Sequence, residues 1–273
     1  MYTLPANRPA LMGILNVTPD SFSDGGVHFE TQTAIDAALR MIDEGADIID
    51  VGGESTRPGS EGVTEEEELR RVIPVIKALV RRDVVVSIDT AKANVAMQAL
   101  GEGAKIVNDV TALSDPDIAK VCADAGCRVC LMHMKGTPRT MQLDPQYDDV
   151  VEDIRDYLVA RACYAESEGI KKEDIWIDPG IGFGKTVAHN LDLLKHVARF
   201  VDTGYPVLIG TSRKSFIGKI LGPKDQPLPS DQRLEGTLAT QIWAQIQGAK
   251  IIRAHDVKES RHAIDMIVAI QIA

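Results

Sequence analysis

Eight short runs rich in Val, Ile and Leu recur along the chain, and a segment with helical spacing follows nearly every one after a polar turn. The runs are ALMGILNV from Ala10, DIIDVGG from Asp47, VVVSIDT from Val84, KIVNDV from Lys105, RVCLMH from Arg128, IWIDPG from Ile175, PVLIGTS from Pro206 and KIIRAHD from Lys250. Amphipathic segments such as TAIDAALRMIDEG, EEEELRRVIPVIKALVRR and DVVEDIRDYLVARACYAESEG lie between them, several ending at a glycine as helix C-termini prefer. Near-continuous apolar strands alternating with helices imply a parallel sheet covered by helices. Eight such units close naturally into a (β/α)8 TIM barrel, which takes roughly 250 residues. Residues 1–273 are therefore expected to form one α/β domain, with a doubly wound open sheet as the alternative.

At 44% hydrophobic and 26% charged residues the chain can bury a large core. The four acids Glu65–Glu68 read as favouring a helix N-terminus, and the Pro-rich stretch 222–232 as a surface loop. A formal charge of −10 argues against nucleic acid and anionic membranes as partners, since both need a basic surface. The N-terminus has no signal-peptide core and no stretch near 18 apolar residues, so a cytoplasmic protein is expected. Cys122, Cys127, Cys130 and Cys163 are too scattered for a disulfide framework. Cys127 and Cys130 form a C-x-x-C within a strand, where that spacing puts them on opposite faces, which argues against zinc or redox chemistry.

Polar residues recur at the ends of the apolar runs: Asn16, Asp89, Asn108, His133, Asp178, Ser212 with Lys214, and Arg253 with His255. Taken singly, each also suits an ordinary strand-end cap. In a barrel all these ends meet at the C-terminal face, where active sites of the fold are built. A ring of Asp, Asn and Lys suits a flat polar ligand with many donors and acceptors. The segment DPGIGFGKT is neither a P-loop, whose first glycine would fall at Pro179, nor a dinucleotide fingerprint, since Gly180, Gly182 and Gly184 read G-x-G-x-G.

Long blocks carry a resemblance to the dihydropteroate synthases, a family of pterin-binding enzymes. They are MGILNVTPDSFSDGG from Met12, DVGGESTRPG from Asp50, SIDT from Ser87, NDV from Asn108, LMHMKGTPRTMQ from Leu131, DPGIGFGK from Asp178, GTSRKSFIG around Thr211, and R-x-HDV from Arg253. Ala112 and Ala254 depart from the family's commoner Gly and Val without removing a functional side chain. The resemblance implies a (β/α)8 fold, an Mg2+ cofactor and a homodimer. It also implies an enzyme that condenses 6-hydroxymethyl-7,8-dihydropterin diphosphate with p-aminobenzoate to dihydropteroate and pyrophosphate, with sulfonamides as competitors.

Carried onto matching positions, the resemblance puts the pterin on Asp89, Asn108, Asp178 and Lys214, with Phe183 against its face. Asp89, Asp178 and Lys214 are the expected catalytic residues. Arg253 and His255 are expected on the diphosphate, Asn16 on Mg2+, Thr56 and Arg57 on diphosphate and aminobenzoate, and Ser212 near the p-aminobenzoate. The chemistry favoured is loss of pyrophosphate to a ring-stabilised cation, held by the buried carboxylates and captured by the amine; direct displacement is the alternative. A pterin-binding methyltransferase and a non-catalytic relative are the competing readings.

Overall fold

The computed structural model describes residues 2–18, 27–55, 60, 62–137, 140, 141 and 143–273. The expected alternation is present: β1 (Ala10–Asn16), α1 (Val27–Asp43), β2 (Ile48–Gly52), α2 (Glu65–Val80), β3 (Val86–Asp89), α3 (Ala93–Gly101), β4 (Ile106–Asp109), α4 (Pro116–Ala125) and β5 (Arg128–Met132). It continues with α5 (Val150–Ser167), β6 (Ile175–Asp178), α6 (Val187–Lys195), α7 (Val197–Val201), β7 (Leu208–Ile209), α8 (Ser215–Leu221), α9 (Leu234–Ile246), β8 (Ile251–Ala254) and α10 (Val257–Ile272). All eight strands are parallel, in the order β6-β5-β4-β3-β2-β1-β8-β7. A bridge between Ile177 and Val207 closes the ring, so the open-sheet alternative falls. Helices α1, α3, α5 and α9 stop alike, the amide two residues after the C-cap turning back to a carbonyl of the last turn, as in Ala46 to Met41 and Ile170 to Ala165.

Alternation along each strand separates two cores. Leu11, Ile49, Val51, Ile88, Val107, Val129 and Ile252 face outward against the helices. Ala10, Met12, Ile48, Ile106, Cys130, Trp176, Leu208 and Ile251 fill the barrel, with Tyr2 and Leu4 packed against them. Cys127 belongs to the outer core and Cys130 to the inner one, on opposite sides of the sheet as their spacing requires. The side chains thus form an apolar floor, and higher up the inward positions become polar.

Two local expectations change. The seventh run supplies only a two-residue strand, beyond which the Thr211 hydroxyl lies 2.9 Å from that of Thr240. Glu68 does not merely open a helix: it is fully buried and ion-paired with Lys92, which also meets Glu54. No helix among the described residues is long and apolar enough to cross a membrane.

Candidate active site

The staggered register sets the site. Asn16, Gly52, Asp89 and Asn108 are successive partners on β1 to β4, and the same row then descends to Cys130 and Trp176 inside the barrel. Two residues below Gly52, Asp50 lies fully buried on the inward side of β2. A lone buried carboxylate would be costly, and here Arg253 from β8 answers it. The Arg253 Nε donates to Asp50 Oδ2 at 2.7 Å and its Nη2 to Asp89 Oδ2 at 2.8 Å. The Asn108 amide nitrogen also donates to Asp50, at 3.0 Å, which fixes the orientation of that amide.

Above this network a cavity of about 450 Å3 opens at the C-terminal face, lined by Asn16, Asp89, Phe183, Ser212, Lys214, Arg253 and His255 among others. A narrow recess adjoins it, where Asp89, Asn108, Asp178, Phe183, Lys214 and Arg253 meet. Residues read from six separate sequence blocks therefore border one space. Thr56 and Arg57 lie outside the described residues, as do Phe22 and Asp24 of the first loop. His133 does not border the cavity: it lies against Tyr157, ring centroids 5.0 Å apart.

Asp178 accepts the Gly180 amide on Oδ1 at 2.7 Å, which leaves Oδ2 available. Burial pushes its carboxyl up to about 6 and outweighs the Gly180 amide and Lys214, which both favour the ionised form. Burial likewise raises Asp89 against the pull of Arg253. The Lys214 ammonium sits 3.9 Å from the centre of the Phe183 ring, and burial, reinforced by Arg253, brings it down to about 8. Ser212 Oγ accepts the backbone N–H of His255 at 3.1 Å and lies 3.0 Å from Nδ1. The hydroxyl keeps a second lone pair and its own hydrogen, so it can serve Nδ1 in either tautomer of His255. Burial and then Arg253 lower His255 to about 3, so it is neutral and adds no charge for an anion.

The sixth loop holds its shape through contact with the fifth. A Cβ on Gly180, at φ +69°, would fall 1.9 Å from the His133 carbonyl oxygen, and one on Gly184, at +66°, 2.5 Å from that of Lys135. Tyr147 donates to the Gly184 carbonyl at 2.8 Å and Asn190 accepts the Gly182 amide at 2.6 Å. Sequence reasoning passed over Asp50 and Lys185. Asp50 carried a usable signal, an acid inside the otherwise apolar run IIDVG, whose partner had to be another buried group.

A narrow recess flanked by acids, an amide and two cations at the mouth of a (β/α)8 barrel defines a barrel enzyme for a compact, many-donor ligand. The family model described as pterin binding enzyme matches residues 12–255. The chain is 48% identical over 270 residues to the dihydropteroate synthase of Escherichia coli K12, covering 98% of this chain and 93% of that one. The Yersinia pestis dihydropteroate synthase, solved with a sulfonamide drug complex, superposes with a TM-score of 0.92 at 46% identity, covering 100% of this chain and 98% of that one. The Xanthomonas albilineans enzyme in complex with 7,8-dihydropteroate gives 0.88 at 43% identity, covering 99% and 96%. The chain belongs to the pterin-binding enzyme family, in its dihydropteroate synthase branch.

Proposed function

We infer that this chain is a transferase of folate biosynthesis, joining 6-hydroxymethyl-7,8-dihydropterin diphosphate to p-aminobenzoate with release of pyrophosphate. The observation that carries the reading is the shared recess of Asp89, Asn108, Asp178 and Lys214 beside the cavity that Arg253 and His255 line. A pterin presents an amidine-like edge of donors that a carboxylate can grip, and Asp178 has an oxygen to spare for it. Asp89 and Asn108 border the same recess, and the Lys214 ammonium suits the ring carbonyl. Each charge-assisted bond of this kind contributes about 1.5–3 kcal/mol.

In the reaction the amine lone pair forms the new C–N bond to the pterin methylene. The C–O pair leaves with pyrophosphate, and one amine proton is released. Asp89 and Asp178 favour positive charge on the ring, while Lys214 fixes its orientation. Two of the five N–H groups of Arg253, one on Nε and one on Nη2, are committed to carboxylates, so it offers a diphosphate the other three, with the His255 ring nearby. Ser212 meets His255 and also lines the cavity, which agrees with a place beside the p-aminobenzoate. Thr56 and Arg57 belong to the same reading, on the resemblance of their block.

Mg2+ fits this mouth. Asn16 Oδ1 lies beside Gly52 at the cavity mouth, where an added Cβ would stand 3.9 Å from it, while Asp89 Oδ2 is already paired with Arg253. Mg2+ is ordinarily held by one or two protein oxygens plus substrate phosphates and water. When bound, it would offset the charge developing on the departing diphosphate. Exposed Trp243 and Ile246 on α9, with Leu191 on α6 and Leu221 on α8, support self-association into a homodimer. A cytoplasmic location agrees with four free cysteines.

The test is pyrophosphate release, expected only with both substrates present, lost on chelation of Mg2+ and inhibited by sulfonamide in competition with p-aminobenzoate. Tight pterin binding without turnover would refute it.

A further inference from the structure

Lys185 lies behind the sixth loop, 3% exposed and outside the cavity lining. Its Nζ donates to the Phe183 carbonyl at 2.8 Å and meets His133 Nδ1 at 3.1 Å. Burial brings the Lys185 ammonium down to about 7 and also holds His133 neutral; while Lys185 keeps its proton it can only donate, so Nδ1 accepts and the His133 hydrogen is on Nε2. On the other side of the loop, the Phe183 ring covers Lys214 within the recess. One residue is therefore held at its carbonyl by a buried cation and presents its ring to the site. A buried ammonium costs free energy that a methionine of similar length would not, so packing alone does not account for a lysine here.

We propose that Lys185 is a positioning residue that pins the Phe183 carbonyl, fixes the Phe183 ring over Lys214, and so sets the width of the slot for the pterin. The proposal rests on the reading that Phe183 borders the pterin. The groups acting on Lys185 are His133 from the end of β5, Asp178 from β6 and Lys214 from the seventh loop. Lys135 and His189 stand further out, around the Tyr147 ring. Lys185 also favours the ionised form of Asp178.

The test compares Lys185→Met, Phe183→Ala and the double variant by pyrophosphate release, with melting curves alongside. Lys185→Met is expected to raise the pterin diphosphate KM about tenfold, equivalent to about 1.4 kcal/mol. The p-aminobenzoate KM should stay within about twofold, and the acidic limb of the pterin kcat/KM profile should move to higher pH. Adding Lys185→Met to Phe183→Ala should cost no more than about twofold, since the two act as one unit. Multiplied losses, or equal rises in both KM values, overturn the tether alone. A pterin KM unchanged in Phe183→Ala overturns the pocket reading and the tether with it. If Lys185→Met does not fold, Lys185→Gln keeps an N–H for the carbonyl. A pterin KM within about threefold of the parent then supports the proposal, and a tenfold rise overturns it.

Discussion

Replacing Asp178 by asparagine should weaken substrate binding and strengthen the fold, two effects of opposite sign from one carboxylate. Burial holds this carboxyl at about 6, against 3.8 for an exposed aspartate. The interval is worth about 3 kcal/mol at 1.36 kcal/mol per pH unit. Because the folded value is the higher one, the carboxyl's contribution to stability is fully present below the unfolded value and is lost as pH rises through about 6. The parent gives up that stability between about pH 4 and 6, and the variant does not. Asparagine keeps Oδ1 for the Gly180 amide, and its new N–H2 faces the cavity, where water meets it. At roughly 2–4 °C per kcal/mol for a chain of this size, the variant should melt about 6–12 °C above the parent at pH 8 and converge with it near pH 4. Its pterin diphosphate KM should rise about 10- to 150-fold, the loss of one charge-assisted bond. Scanning calorimetry across that pH range, paired with pyrophosphate release, measures both. An unchanged KM, or a variant that melts at or below the parent at pH 8, would refute the reasoning.

The pterin kcat/KM profile should be bell-shaped, rising through about 6 as Asp178 ionises and falling through about 8 as Lys214 loses its proton; a profile flat from pH 5 to 9 would exclude both assignments. Gly180→Ala should lower Tm by about 10 °C or more, because its Cβ would meet the His133 carbonyl, whereas Gly101→Ala, with nothing within 4 Å, should leave Tm unchanged or slightly raised. Ser212→Ala frees the His255 ring and should reduce kcat about tenfold with Tm within about 2 °C, measured by the same assay.

The fold was legible because period and punctuation agreed along the chain, each strand run and its helix satisfying one another's burial. Site membership was legible wherever parity could be applied. Cys130 and Met132 point into the barrel, so His133, one residue on, points out, a distinction the bare strand-end position does not make. Parity also finds Glu68, which shares a helical face with Val72, Val75, Ile76 and Leu79. The partners were not legible. Asp50 and Arg253 are 203 residues apart, and Lys185 and His133 are 52 apart; only barrel closure and the crossing of two loops bring them together.

The substrate's two ends make opposite electrical demands, and the cavity separates them along its depth. An overall charge of −10 would disfavour a diphosphate, yet screening confines that field to about 8 Å at physiological salt, so the mouth decides. Arg213 and Arg233 line that mouth. The Arg233 guanidinium donates to the Leu228 and Arg213 carbonyls, which cancel none of its charge, while Arg213 is offset by Asp256. In and under the recess below, three acids, Asp50, Asp89 and Asp178, face two cations, Arg253 and Lys214, so the acids prevail by one. A molecule with an anionic tail and a ring able to carry positive charge therefore gains at both ends in one orientation only. The carboxylate burial that costs the fold its stability near neutral pH is the same feature that favours a cationic ring at the point where the C–O bond breaks.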